Sequence, residues 1–158
     1  MRIFLPASLS LVHGWASAQR IGPQPLTGFA VTPGVREWYL DGEAEELEYA
    51  ATMRAARASL RLISVTEPRR VVLAVDVPDD VVIFRDELEV GAVHVTSFVP
   101  WTAVACALVD DLDAEPAVAE ALAVIDAADL GDEDAEFLVS ETEDHELGWY
   151  ATQELADL

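Results

Sequence analysis

Arg54, Arg57 and Arg61 are spaced three and four residues apart, which places them on one face if the segment is helical. None has an acid four residues ahead of it to neutralise it within that helix. Such a row of guanidiniums suits a phosphate or carboxylate ligand. Two aromatic pairs, Trp38-Tyr39 and Trp149-Tyr150, each follow acidic residues, and with Glu46 and Glu48 near the arginines they sketch an aromatic and carboxylate pocket. Glu141 and His145, at i and i+4 of an expected last helix, have the spacing of an acid–base pair or of two metal ligands.

Two groups are not a site, and no further histidine or cysteine pattern completes a metal set, so no metal and no cofactor are expected. There is no G-x-S-x-G, P-loop or dinucleotide signature, and no catalytic residue can be assigned. His13 and His94 stand alone and read as structural. The lone Cys106 lies in the apolar run Val104-Ala105-Cys106-Ala107-Leu108-Val109, where a thiol without a cationic neighbour is an inert core residue.

Charge is distributed unevenly. All nine basic side chains are Arg, and they lie in residues 1–85 with ten acids, a net of −1. Residues 86–158 hold twenty acids and no Lys or Arg, so they carry nearly all of the net −21. Such a surface repels nucleic acid and anionic membranes. It leaves two readings, a solvating shell or a docking face for a basic protein partner.

These side chains must be positioned by one domain, because 158 residues with 52% apolar content fit a single hydrophobic core. No apolar run reaches the roughly 18 to 20 residues of a membrane-spanning helix, and a cytoplasmic protein is expected. Residues 1–19 imitate a signal peptide with a cleavage site at Ala16-Ser17-Ala18, yet Pro6, Ser8, Ser10 and His13 interrupt the apolar stretch. They read instead as an edge or terminal strand over Arg2–Ala7 and a short helix over Leu9–Gln19, capped by Ser8 or Ser10.

A short strand over Phe29–Thr32 is expected next, followed by a turn or helix from Thr32-Pro33 to Tyr39. The clearest helix spans about Glu43 to Ile63, with Tyr49, Met53, Ala56, Leu60 and Ile63 as its expected buried stripe and acids leading arginines as the helix dipole favours. Arg70–Val77 reads as the central strand. Ala92–Val99 and Ala103–Val109 read as two more, and Glu115 to about Ala128 as a helix stopped by Gly131. Phe137–Val139 suggests a short strand, and the capping-box pattern Ser140 to Glu143 a last helix burying Leu147, Tyr150 or Ala151, and Leu155. The expectation is an α+β domain over 1–158: one mixed sheet of about five strands with three or four helices.

Several segments together resemble an uncharacterised family of actinobacterial proteins with a domain of unknown function: Phe4-Leu5-Pro6-Ala7, Ala30-Val31-Thr32-Pro33, Arg36-Glu37-Trp38-Tyr39, Glu46-Leu47-Glu48-Tyr49-Ala50-Ala51, Arg69-Arg70-Val71-Val72-Leu73-Ala74-Val75-Asp76-Val77-Pro78 and Glu143-Asp144-His145-Glu146-Leu147-Gly148-Trp149-Tyr150-Ala151-Thr152-Gln153-Glu154-Leu155. The resemblance implies a bacterial intracellular protein and carries no activity or site residue with it. The strand order is also loosely similar to ADP-ribosyltransferase-like folds, without their catalytic motif.

Two functions follow as expectations. The first is a non-enzymatic binding or regulatory module whose acidic half docks on a basic protein. The alternative is an enzyme or ligand-binding domain for a small anionic or nucleotide-like molecule. It would use Arg54, Arg57 and Arg61 with Trp38, Tyr39, Glu46 and Glu48, and His145, Trp149 and Tyr150 complete the candidate set. The position of the arginine row separates them: guanidiniums converging on a pocket favour the ligand, whereas pairing with acids of the C-terminal half disfavours it.

Overall fold

The computed structural model describes residues 1–158. Nine strands and five α-helices form an α+β domain in the order β1(Arg2–Ala7), α1(Leu9–Ala18), β2(Arg20–Ile21), β3(Leu26–Phe29), α2(Pro33–Trp38), α3(Ala44–Ser59), β4(Val71–Asp76), β5(Val82–Phe84), β6(Ala92–Val95), β7(Val99–Pro100), β8(Val104–Asp110), α4(Glu115–Asp129), α5(Glu133–Ser140) and β9(Leu147–Tyr150). Seven strands make the main sheet, ordered β5-β6-β3-β1-β4-β8-β9, and β2 pairs with β7 in a separate ribbon. Every pairing is antiparallel, so the sheet is larger than the expected five strands and is not mixed. β5, only three residues long between acidic turns, and the two-residue β2 are too short to leave a period in the sequence.

β1 is not an edge strand. It lies fourth of seven, paired with β4 from Arg2↔Asp76 to Ala7↔Val71 and with β3 at Phe4↔Phe29. Pro6 is tolerated there because β3 pairs with β1 only at Phe4, so a missing N–H on that side breaks no ladder bond. β3 falls at Leu26–Phe29, earlier than expected, and Gly28 permits its approach: a Cβ there would meet the Phe4 carbonyl oxygen at 2.9 Å.

The sheet is buried on both faces. Ile3, Leu5, Leu73, Val75 and Val109 pack with Leu9, Val12, Ile21, Val99 and Leu155 on one side, beneath α1 and the β2–β7 ribbon. Phe4, Phe29, Val72, Ala74 and Cys106 pack with Ala51, Ala55 and Ala56 of α3 on the other. A third cluster joins Leu60 to Val118, Ala121, Ile125, Ala135 and Val139 of the α4–α5 hairpin. The Ser59 hydroxyl ties α3 to the sheet, donating to the Ala7 carbonyl at 2.7 Å and accepting from the Val71 N–H at 3.0 Å.

Helix ends follow their capping residues. Ser8 accepts from the Leu11 N–H and Thr32 from the Val35 N–H, and Pro33 occupies the first turn of α2. Gly131, at φ +96, stops α4 as expected.

Two segments differ from expectation. Phe137–Val139 belongs to α5, not to a strand, because Asp132 caps a helix by accepting from the Ala135 N–H. Ser140 ends that helix instead of starting another: its hydroxyl donates back to the Phe137 carbonyl, and Glu141–Asp144 is a short 3-10 turn. The expected last helix is therefore replaced by β9, pairing with β8 from Ala107↔Tyr150 to Asp110↔Leu147, and by a 3-10 turn over Thr152–Asp157. Two adjacent aromatics beside a glycine pack better on a pleated strand than in a helix.

Candidate functional site

α3 directs most of the predicted site. Its buried face is Leu47, Ala51, Ala55, Ala56 and Ser59, whose small side chains let the helix lie close on the sheet. The expected stripe is thus corrected: Tyr49 is 61% exposed, Met53 is half-buried, and Ile63 lies beyond the helix end.

The exposed side of α3 forms the floor of a groove of about 810 Å³, lined by Tyr39, Glu45, Glu46, Tyr49, Met53, Arg54, Arg57, Glu89 and Glu143 among others. Of the predicted residues it brings together Arg54, Arg57, Tyr39 and Glu46. Trp38, 67% exposed at the end of α2, and Glu48 do not line it. Tyr49, Met53, Glu45, Glu89 and Glu143 were missed, the first two because their spacing imitates a core stripe.

The arginines are paired with carboxylates. Arg57 donates two hydrogen bonds to Glu136, both at 2.8 Å, and lies 3.7 Å from Asp129. Arg61 pairs with Asp129 and Asp126, and Arg54 reaches Glu89 at 3.4 Å. All these acids follow Arg85 in the chain. The Arg57 bonds hold the Glu136 carboxyl below the usual carboxylate range. Glu45, Glu46 and Glu143 form no such pair, so the groove's unneutralised charge is negative.

His145, Trp149 and Tyr150 lie apart from the arginines. His145 follows the 3-10 turn that holds Glu141, so the two do not share an α-helical face. It lines a smaller cleft of about 290 Å³ with Tyr49, Met53, Leu108, Glu146 and Leu147, and its carbonyl accepts from Arg70 at 2.9 Å. Trp149 and Tyr150 take opposite faces of β9: Trp149 is 63% exposed opposite Leu108, while Tyr150 packs on the core. No group of three or more His, Cys, Asp or Glu side chains is placed to hold a metal ion.

The most deeply buried ionic assembly escaped the sequence reading. Arg70, 1% exposed, donates from its backbone N–H, Nε and Nη2 to the carboxylate of Asp110, 0% exposed, at 2.8 Å each. Arg70 Nη2 also donates to the His145 carbonyl, and the pair closes β4 onto β8. Cys106 is buried in the α3-side core, and burial pushes its thiol up from the ordinary value, against a weaker pull from the Trp149 indole.

The class these features define is an α+β fold with a seven-stranded antiparallel main sheet, an acidic groove along α3 and no helix long and apolar enough to cross a membrane. The chain belongs to a family of unknown function, DUF6912, whose profile matches residues 1–158. No curated protein and no solved structure matches it.

Proposed function

We propose that this protein is a non-enzymatic binding module of the bacterial cytoplasm that accepts a basic segment of a partner protein along the α3 groove. The observation that carries the proposal is the division of charge within that groove. Its arginines are occupied by Glu89, Glu136 and Asp129, whereas Glu45, Glu46 and Glu143 make no salt bridge and stand beside Tyr39 and Tyr49.

Carboxylates next to exposed tyrosine rings suit an arginine or lysine side chain: the acids attract its charge, and a ring face adds about 0.5–1 kcal/mol by a cation–π contact. The surrounding excess of acids would steer such a segment from a distance. The single unpaired cysteine fits a reducing compartment. A small anion has less to recommend it, since it would have to displace a carboxylate from each guanidinium.

Fluorescence anisotropy of a labelled peptide alternating arginine and threonine tests the reading. Binding at low salt should weaken steeply as salt rises through about 0.15 M, where charges are screened beyond roughly 8 Å. Glu45→Gln with Glu46→Gln should weaken it further, and Tyr49→Ala should do so with less change in salt dependence. A peptide that fails to bind at low salt, or binds the glutamine variant equally well, would overturn the proposal.

A further inference from the structure

β9 ends the main sheet, and no strand pairs with its outer side. It pairs with β8 alone, and no backbone hydrogen bond outside that ladder engages Leu147, Gly148, Trp149 or Tyr150. In an antiparallel strand every second residue turns its N–H and C=O away from its one neighbour. Proteins usually blunt such an edge by keeping it very short or with lysine, proline, a bulge or a covering element; β9 has the first of these, at four residues. β9 has no charged residue and no proline, and its only register partners are the regular pairs to β8.

The flanks are acidic. Glu141, Glu143, Asp144 and Glu146 precede the strand, and Glu154 and Asp157 follow it, with no Lys or Arg after Arg85. A second copy of the chain would bring the same acids to the same edge, and the two would repel. A basic strand would be attracted. The face beside the edge is equipped for its side chains: Trp149 stands exposed on the α3 side, next to the cleft of about 290 Å³ formed by Tyr49, Met53, Leu108 and Glu146. That cleft shares Tyr49 and Met53 with the α3 groove, so edge and groove form one surface.

We infer that β9 is a β-augmentation site: an extended, basic segment of the partner adds to the sheet as an eighth strand beyond β9. This rests on the docking proposal above and specifies how the partner is held. Main-chain bonds to β9 supply sequence-independent affinity, and alternate basic side chains lie over Trp149 and reach Glu146 and the cleft. At about 3.4 Å per residue, the four residues of β9 offer a rail of roughly 14 Å, enough for a short strand and not for a folded domain.

The arginine–threonine peptide is compared with two analogues of identical sequence and charge, N-methylated at every odd or at every even residue. Strand addition uses the N–H groups of one set only. One analogue should therefore lose about tenfold or more in affinity while the other binds within about twofold of the parent. Amide hydrogens of β9 should slow their exchange when the parent peptide binds, and Trp149→Ala should weaken binding without removing the salt dependence.

If the parent binds with salt dependence but both analogues match it, the docking reading stands and strand addition is overturned. A parent peptide that does not bind at low salt overturns both. Concentration-dependent dimerisation that protects the β9 amides without peptide would assign the edge to a second copy and overturn the inference.

Discussion

Arginine meets carboxylate in two parts of this molecule, with opposite consequences. At the start of β4, Arg70 and Asp110 are sealed between strands and surrounded by hydrogen bonds. On α3, Arg57 and Arg61 make comparable pairs with Glu136 and Asp129 at the surface, each side chain a third or more exposed. The chemistry is the same and the surroundings differ. Out of water a lone charge is severely destabilising, so the buried pair is a structural lock; in water each partner can be solvated alone, so the surface pairs mainly tie the α4–α5 hairpin to α3.

The largest expected effect comes from breaking the buried pair on one side. Asp110→Ala leaves the Arg70 guanidinium and its backbone N–H without their main acceptor and should cost about 3–5 kcal/mol in urea denaturation. Replacing both partners with apolar residues, as in Arg70→Met with Asp110→Leu, should recover much of that loss. A single variant as stable as the parent would show that water reaches this end of the sheet and would remove the distinction between the two sites.

At the surface, Arg57→Ala or Glu136→Gln should each cost no more than about 1 kcal/mol by the same measurement. The smaller cost should shrink further in high salt, whereas the Asp110 effect should not. A surface penalty matching the buried one would mean that the hairpin depends on these pairs for its docking, not on Leu60, Val118 and Ile125.

Acid sharpens the same contrast on a smaller scale. Glu136 is held down by its bonds from Arg57 and Asp76 by those from Arg2; for Asp86, burial pushes upward but is outweighed by bonds from the Thr32 hydroxyl and the Gly91 and Gly34 N–H groups. A carboxyl whose folded pKa is depressed stabilises the fold above its unfolded value, and this is lost as pH falls through the folded one. Stability should therefore decline below about pH 4, by tenths of a kcal/mol per exposed group. Protonation also relieves repulsion among the acids, so the measurement is a difference: Glu136→Gln should decline less steeply than the parent.

What the sequence disclosed follows the same line between local and long-range physics. β1, α1, α2, β4, β8 and α4 were legible because each carries its own signal, whether an apolar run, a capping Ser8 or Thr32, or a stop at Gly131. The buried face of α3 was read correctly at Ala56 and Leu60 and misread elsewhere, because Ala51 and Ala55 carry less apolar surface than Tyr49 and Met53, although alanines fit closest against a sheet. β9 was read as a helix because the Ser140–Glu143 pattern is locally a cap, and only pairing with β8 decides otherwise. At the candidate site, the spacing of Arg54, Arg57 and Arg61 was legible, but their partners lie 35 to 79 residues away in sequence and leave no local trace.

The smallest expected effect lies where the sheet is neither sealed nor ion-paired. Cys106 is buried on the α3 side, one strand from the exposed Trp149, and burial pushes its thiol up from the ordinary value. Because the thiolate is the reactive species, a thiol reagent at neutral pH should label the native protein slowly and the denatured protein at once. Trp149→Ala removes the indole that borders the thiol. It should change stability little, because that side chain is already mostly in water, yet it should speed native labelling measurably by opening access. Equal labelling rates in parent and variant would mean that α3 and the neighbouring strands alone shield Cys106, and that Trp149 stands clear of the sheet face.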